Sequence, residues 1–353
     1  MDSAAAVMQC ILSILASIFP HVSRPPSNLV DSLAGDLHAI ALRHQFLGVV
    51  SKSVECLAIL SKITGLARKY FVYILQQHHK GLEISRTQND RKYLQSLETV
   101  NQKGRGQIQL NDVRQKQQCL RSLYTVGIIC RYGVETIEAS EKTSGITMDM
   151  LLVTYVDFLQ CGSSMEIKQK ALQGCGSIFV VRPSVMLHKC FSTMLRVTLR
   201  LDSDRAIKLQ SLRNIHDFLN HEEEKLDEAA NEVLTANTGV EIAAAGGANN
   251  LQNASGEGDA SLAGTIIQKY WPSLLTLLAD KQTDIRVHTL GIVEIAYRQG
   301  LVHPMSCIAR LISLQVDPEM QVFSIADRIL KQVASRYPDF LDTCIGDGLN
   351  LSY

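Results

Sequence analysis

A few residues have side chains that could do chemistry, but none stands in a spacing that an active site requires. His78 and His79 could bind a metal ion, yet adjacent side chains on a helix point in different directions, so we interpret them as a solvated pair. Cys119 and Cys175 could act as nucleophiles, but neither has a candidate base near it in the sequence. The Gly-Cys-Gly sequence at 174–176 follows no strand, so close helix packing explains it better than a dinucleotide site.

Larger catalytic motifs are also absent from the sequence. There is no GxxxxGK[ST] phosphate loop and no HExxH metal motif, and the nine cysteines include no CxxC pair. We interpret the cysteines as buried, reduced thiols of a cytosolic or nuclear protein. Hydrophobic residues make up 46% of the chain and charged residues 20%, as in a folded soluble protein. We therefore expect no catalytic residue, no metal, no cofactor and no enzyme activity.

Charge is strongly segregated along a chain whose net charge is zero. Residues 62–131 hold 13 Lys/Arg and four Asp/Glu, a net charge of +9. Residues 217–260 hold ten acids and one Lys, a net charge of −9. The basic segment is either a solvated surface or a surface that contacts nucleic-acid phosphates without reading sequence. The candidate phosphate contacts are Arg91, Lys92, Lys103, Arg105, Arg114 and Lys116.

Helical periodicity dominates the chain and predicts the elements that must position these residues. We expect a buried first helix over 3–19, a single helix over 47–79 and another over 184–200. Residues 81–106 form a polar, basic segment that we expect to be an irregular or only partly helical loop. Residues 237–260 are rich in Gly, Ala, Asn and Ser and predict a disordered insert. No segment shows strand alternation between hairpin turns.

An internal repeat indicates how the helices are arranged. Three segments share an apolar residue, a basic residue, two variable residues, a small residue and Leu; they begin at Ile167, Ile207 and Ile285, and a weaker copy begins at Val322. Their spacings are 40, 78 and 37 residues, and the middle one is close to two periods. Helix pairs that repeat about every 40 residues are typical of HEAT and armadillo arrays. We predict an all-α HEAT/armadillo-type helical-repeat solenoid.

Each small residue lets its helix approach a neighbour closely, and charged residues near it predict contacts between repeats. An Asp stands six residues before the basic residue in two copies: Asp202 before Lys208, and Asp280 before Arg286. We expect these four residues to form structural pairs from one repeat to the next. The weak copy breaks the pattern, because the residue six positions after Asp317 is Phe323 and not a basic residue.

The predicted segments follow one another in a simple order. Residues 1–110 are the first helices of the solenoid, with the polar basic loop near 81–106. Residues 111–236 are HEAT-type repeats, and 237–260 are the insert. Residues 261–345 are the C-terminal HEAT-type repeats.

Short motifs, in their order and spacing, carry a family resemblance. Gln299-Gly300-Leu301-Val302-His303-Pro304 leads to Asp317-Pro318 and then to Tyr337-Pro338-Asp339-Phe340. Upstream stand Tyr124-Thr125-Val126-Gly127-Ile128-Ile129-Cys130 and Lys170-Ala171-Leu172-Gln173-Gly174-Cys175-Gly176. Over residues 110–345 this succession resembles the C-terminal region of the Nipped-B/adherin family of cohesin loaders. Members of that family are much longer, so the chain is either a piece of such a protein or a short relative.

The resemblance implies a non-enzymatic nuclear scaffold that promotes cohesin loading on chromatin and sister chromatid cohesion. Its implied partners are the cohesin complex, through the SMC ATPase heads and the kleisin, and double-stranded DNA. The family's segment for the partner subunit of the loader has no counterpart in this sequence, and no membrane partner is expected. The alternative is a generic HEAT scaffold, such as a transport adaptor or an assembly subunit for a phosphatase or kinase.

Overall fold

The computed structural model describes residues 3–22, 26–65, 67–98, 109–161, 164–236 and 257–352, and within these ranges the chain is α-helical without a strand. The predicted all-α fold is confirmed. The chain divides into two compact units, residues 1–181 and 182–353. This division follows none of the segment boundaries predicted from the sequence.

Among the residues that the structure describes, the first unit contains eight α-helices. They are α1 (Ser3–Ile18), α2 (Ser27–Arg43), α3 (Leu47–Ile63), α4 (Arg68–Glu98), α5 (Gln109–Tyr132), α6 (Val134–Ser144), α7 (Met148–Cys161) and α8 (Met165–Val181). Helices α1, α3, α5 and α8 pack side by side in one layer, and α2, α4 and α7 pack in a second layer against them. This two-layer stacking of helix pairs is that of a helical repeat.

The described part of the second unit, which omits residues 237–256, contains seven α-helices. They are α9 (Lys189–Thr198), α10 (Arg205–Ala236), α11 (Glu257–Leu277), α12 (Thr283–Arg298), α13 (Met305–Ser313), α14 (Met320–Arg336) and α15 (Pro338–Ser352). Helices α10, α12 and α14 form one layer; α9 packs on α10, α11 on α12 and α13 on α14, while α15 packs mainly on α13.

Two helices predicted as continuous are interrupted. The helix expected over 47–79 ends at Ile63, because the Thr64 hydroxyl donates to the Leu60 carbonyl and its backbone is extended. The helix expected over 184–200 begins instead as a 3-10 turn at Pro183–Leu187, and α9 starts only after the extended His188. Helices α6 and α15 were not predicted, because α6 is short and mostly polar and α15 contains two glycines.

The two segments expected to be irregular have different outcomes. The segment expected to be irregular or only partly helical over 81–106 is helical over 81–98, where α4 continues without a proline. Residues 99–108 lie outside the described residues. Residues 237–256 of the expected insert also lie outside the described residues. Residues 257–260 belong to α11, which begins at Glu257.

The first helix is only half buried, so the prediction of a buried helix over 3–19 is wrong. Three residues of α1 are buried, and Val7, Ile11, Ile14 and Ile18 form an exposed apolar stripe on the other face. The segment Ser3–His21 is also long and apolar enough to cross a membrane by length and composition.

The small residues of the sequence repeat lie where helices approach one another. Ala171, Ser211, Thr289 and Ala326 are all completely buried. The 78-residue spacing does not hold two repeats, since α10 and α12 are direct neighbours in their layer. The long α10 and residues 237–256 enlarge a single repeat instead.

Two helices of the first unit, α5 and α8, approach each other closely. A Cβ atom added to Gly127 would lie 2.9 Å from the Cα of Gly174. A Cβ added to Gly174 would collide with the ring of Tyr155, whose hydroxyl donates to the Leu123 carbonyl at 2.6 Å. Glycine is therefore required at 174 by close packing, as predicted from the sequence.

Buried ion pairs join the repeats of the second unit. Lys208 lies 2.5 Å from Asp280, and both side chains are 4% exposed. The same carboxylate accepts the backbone N–H of Gln282 at the start of α12. In the next repeat, Arg286 donates to Asp317, which likewise accepts the N–H of Glu319 before α14. Each basic residue thus pairs with the Asp that precedes the next helix of its layer.

Two residues depart from the predicted pattern of pairs. Asp202 lies 3.0 Å from Arg200, two residues before it, and this pair is exposed. Asp317 is the partner of Arg286. The sequence pattern did not include Asp317, because the residue six positions after it is Phe323 and not a basic residue. The pattern failed at Asp317 because each Asp pairs with the basic residue of the preceding repeat. The repeat that contains Asp317 therefore does not need a basic residue of its own.

We predict that Gly174→Ala lowers the free energy of unfolding of the first unit by about 1–3 kcal/mol, because the new methyl group overlaps the fixed Tyr155 ring. Urea unfolding followed by far-UV circular dichroism measures the change. Gly35→Ala in α2 is the matched control, since its nearest atom would be 3.8 Å away, and we expect a gain of about 0.5–1 kcal/mol. Equal effects of the two substitutions would contradict the packing assignment.

We predict that Asp280→Asn lowers the free energy of unfolding of the second unit by about 3–5 kcal/mol, because Lys208 is left buried without a counter-charge. Asp202→Asn, at the corresponding position, should cost less than about 0.5 kcal/mol, because its pair is exposed. The fluorescence of Trp271, the single tryptophan, reports unfolding of this unit. A similar loss for both variants would show that the buried pair does not hold the repeats together.

Candidate interaction surfaces

The candidate phosphate contacts cluster around the connection between α4 and α5. Arg91 and Lys92 lie on the last two turns of α4, and Lys103 and Arg105 fall within 99–108, outside the described residues. Arg114 is exposed on the second turn of α5. These positions place at least three of the six residues on adjoining ends of two packed helices.

Lys116, the sixth candidate, is engaged by an acid. Its Nζ atom lies 2.7 Å from Glu166 at the start of α8. A phosphate would have to compete with this carboxylate, so the contribution of Lys116 to an anion-binding surface is reduced.

Other cations of the basic segment are also paired within the first unit. Lys62 lies 3.2 Å from Glu135, Lys69 lies 3.1 Å from Asp31, and Arg86 lies 3.3 Å from Asp157. Arg121 donates to the Ala41 and His44 carbonyls and so caps the C-terminal end of α2. The net charge of the segment therefore overstates what is available to a polyanion.

Within the described residues, the acidic segment lies mostly on α10, and its Glu257 and Asp259 lie in the first turn of α11. Glu224, Asp227 and Glu228 are exposed, whereas Glu223 accepts a bidentate contact from Arg298 of α12. The part that overlaps 237–256 lies outside the described residues. The second half of α10 presents a negative, solvent-facing side.

The histidines and cysteines with potential chemistry are buried. His78 and His79 are each more than nine-tenths buried, so the interpretation as a solvated pair is wrong. Burial lowers the pKa of His78 to about 4, and it lowers the pKa of His79 as well. Both rings are neutral at physiological pH, and His78 hydrogen-bonds the Ser122 hydroxyl at 3.1 Å. Their burial follows from α4 continuing past them and packing on α5.

The thiols are poorly suited to nucleophilic attack. Cys119 and Cys175 are buried, and desolvation raises the pKa of the Cys119 thiol. Cys10 and Cys190 are exposed, so the prediction of buried cysteines is wrong for these two. Across the residues that the structure describes, no three His, Cys, Asp or Glu side chains converge as a metal site would require.

One concave surface was not predicted from the sequence. It is a groove between α4 and α7 of about 270 Å³, lined by His79, Glu83, Arg86, Asp149, Met150, Val153 and Thr154. The sequence carries no signal for it, because the groove exists only once α4 extends beyond residue 81 and packs beside α7.

Comparisons with known proteins agree on one family. The model of the Nipped-B C-terminal region, described as sister chromatid cohesion C-terminus, matches residues 263–353. Nipped-B-like protein A of Danio rerio is 24% identical over 345 residues, or 97% of this chain and 13% of that protein. The Homo sapiens Nipped-B-like protein is 23% identical over the same length, and the Drosophila melanogaster Nipped-B protein is 24% identical over 361 residues. The chain spans between 11% and 16% of these relatives.

A solved structure has the same fold. The C-terminal fragment of the Chaetomium thermophilum cohesin loader SCC2 aligns with all of this chain and with 24% of its own length, at a TM-score of 0.73 and 16% sequence identity. At this identity the likeness establishes the fold alone. Together with the sequence matches it confirms the resemblance seen in the motifs: the chain is similar to the C-terminal region of the Nipped-B proteins.

Proposed function

We propose that this chain is a non-enzymatic scaffold that binds the cohesin complex and DNA and thereby promotes cohesin loading on chromatin and sister chromatid cohesion in the nucleus. The observation that carries the proposal is the sequence similarity to Nipped-B proteins over 97% of the chain, with the family's C-terminal model matching residues 263–353. A solved relative with the same fold is itself a cohesin loader.

The surfaces of the chain suit a scaffold of this kind. The α4–α5 connection offers cations to a phosphate backbone, and its contacts would be independent of base sequence. The exposed acidic side of α10 offers a negative surface to a basic protein partner. Positive and negative surfaces on one neutral chain favour the simultaneous binding of a polyanion and of a protein.

The protein partner that we propose is the cohesin core, through the SMC ATPase heads and the kleisin. Purified chain immobilised on beads should retain purified cohesin core at low salt. If the beads retained phosphatase subunits or transport cargo and did not retain cohesin, the alternative of a generic HEAT scaffold would be favoured. Asp202→Asn, which alters only an exposed pair, is a control that should bind as the unaltered chain does.

For DNA we predict that changing Arg91, Lys92, Lys103 and Arg105 to Gln removes most of the salt dependence of binding. Each phosphate contact contributes about 0.9 to the slope of log K against log salt, so the slope should fall by roughly 3–4. Fluorescence anisotropy with a labelled duplex at several salt concentrations measures the slope. The unaltered chain should show little preference between duplex sequences.

The matched control removes the same charge from cations that are already paired, by changing Lys62, Lys69, Arg298 and Arg328 to Gln. Its slope should stay close to that of the unaltered chain. Equal slopes for the two quadruple variants would refute the assignment of the α4–α5 connection as the DNA-binding surface.

A further inference from the structure

Two cations of the first unit have no carboxylate partner among the described residues, and they lie on the neighbouring helices α5 and α8. Arg131 stands near the C-terminal end of α5, where its guanidinium group lies 5.9 Å from the centre of the Tyr132 ring. Lys170 stands on α8, where its Nζ atom donates to the Gln173 side-chain carbonyl at 2.9 Å. An aromatic ring and a neutral amide leave both positive charges without a counter-ion in the described part of the chain.

Tyr124 of α5 is close to both cations. Its ring centre lies 5.2 Å from the Lys170 Nζ atom, within the range of a cation–π contact. Burial raises the pKa of the Tyr124 hydroxyl group, and the nearby charge of Arg131 opposes this rise. Because a helix rises about 1.5 Å per residue, Arg131 stands about 10 Å along α5 from Tyr124 and from the Lys170 beside it.

The surface between the two cations is partly apolar. Tyr124, Ile128 and Arg131 follow the i, i+4, i+7 spacing of one helix face, so Ile128 stands between the levels of the two cations. Tyr124, Ile128 and Tyr132 are each half-buried and leave part of an apolar side chain open to solvent. We call Tyr124, Ile128, Arg131, Tyr132 and Lys170 the α5–α8 cluster.

The acids beside the α5–α8 cluster already have partners. Glu55 of α3 lies near the cluster and pairs with Lys52 at 2.7 Å. Glu166, one turn before Lys170 on α8, pairs with Lys116 at 2.7 Å. Neither carboxylate therefore forms a counter-ion for the two cations of the cluster.

Partial burial makes Lys170 the stronger of the two anchors for an anion. Loss of hydration lowers the pKa of its ammonium group, and no acid among the described residues opposes this shift. The charge is thus partly withdrawn from water without an attractive partner. A carboxylate bound there would interact in a medium of lower dielectric than water, where opposite charges attract more strongly.

An acidic protein segment suits this arrangement better than nucleic acid does. Nucleic-acid binding relies on many cations along a continuous phosphate backbone, whereas the cluster offers two cations that are both half-buried. Side chains three residues apart in a polyproline II segment lie on the same side of it, about 9 Å apart, which matches the separation of Lys170 and Arg131. A residue between these two would lie over Ile128.

We propose that the α5–α8 cluster is a docking site for an acidic protein segment in which two carboxylates, three residues apart, flank an apolar residue. One carboxylate pairs with Lys170, the other pairs with Arg131, and the apolar residue packs on Ile128 and the tyrosine rings. The site is separate from the α4–α5 connection. It depends neither on DNA binding nor on cohesin being the partner.

The test uses three labelled nine-residue peptides with the full chain. The first has two Glu residues three positions apart with a Leu between them, the second has Gln at both Glu positions, and the third has Ser in place of Leu. Fluorescence anisotropy should show the Glu/Leu peptide binding about tenfold or more tightly than the Gln peptide and about threefold more tightly than the Ser peptide.

Two outcomes of the peptide experiment would overturn the proposal. Equal affinities for the Glu/Leu and Gln peptides would show that the cations do not select the ligand. No binding of the Glu/Leu peptide at millimolar concentration would show that the cluster is not a docking site. A Ser peptide that binds as tightly as the first would overturn the contact with Ile128.

A matched pair of double variants places the peptide on the cluster. Arg131→Gln with Lys170→Gln should weaken binding of the Glu/Leu peptide about tenfold or more, whereas Lys142→Gln with Lys168→Gln should change it less than about twofold. Both variants remove two positive charges, and Lys168 stands two residues before Lys170, so it points to another side of α8. Equal weakening by the two variants would refute the site. Unchanged far-UV circular dichroism confirms that both are folded.

A labelled DNA duplex separates this site from the DNA-binding surface proposed above. The Arg131→Gln, Lys170→Gln variant should bind the duplex nearly as the unaltered chain does. If it lost DNA and peptide binding to the same extent, the cluster would belong to a nucleic-acid surface and the proposal would be overturned. A chain that bound no DNA would leave the peptide comparison unaffected, so the two proposals can fail separately.

Discussion

The close approach of helices in neighbouring repeats is the constraint on which the rest of the structure depends. In the first unit, α5 and α8 meet where neither Gly127 nor Gly174 has room for a side chain. In the second unit, the small residues Ser211, Thr289 and Ala326 are completely buried in the corresponding places. Stacked repeats have contacts only with their neighbours, so the stability of each interface decides whether the next repeat is held in register.

Buried ion pairs add geometric specificity to these apolar contacts. The carboxylate of Asp280 can bind Lys208 and the N–H of Gln282 together only if α12 begins at one position relative to α10. The same requirement recurs with Arg286, Asp317 and the N–H of Glu319. A charge pair of this kind contributes little net stability but penalises a shifted helix, because a shift leaves a buried charge without its partner.

Much of the fold could be predicted from the sequence, because helical periodicity and a repeated small residue directly reflect helix stacking. The interruptions at Thr64 and at His188 could not, since they depend on local hydrogen bonds and backbone conformations that apolar periodicity does not encode. The full length of α4 was missed because its polar second half has no apolar stripe, and this in turn hid the burial of His79. The 78-residue spacing was misleading because extra residues within one repeat give the same spacing as two repeats of about 40 residues.

The candidate sites were less predictable than the fold. A count of charges indicated a basic surface, but it could not show which cations have partners within the chain. Arg114 is exposed, whereas Lys116 pairs with Glu166 and Arg121 caps the C-terminal end of α2. Residues such as Met150 and Val153 form a groove only because α7 lies beside α4, and that neighbour relation comes from tertiary packing. The binding surfaces of a repeat protein therefore depend more on which helices pack together than on local sequence motifs.

Hydrogen–deuterium exchange of the chain, alone and with a DNA duplex, tests most directly the claim that a rigid helical stack presents its binding groups on its surface. The account predicts that the amides of α8, of α12 and of α5 after residue 116 exchange slowly and are unchanged by DNA, because these helices are packed on their neighbours, while DNA slows exchange within residues 91–116. Rapid exchange of α8 in the free chain, or DNA protection confined to the second unit, would contradict it.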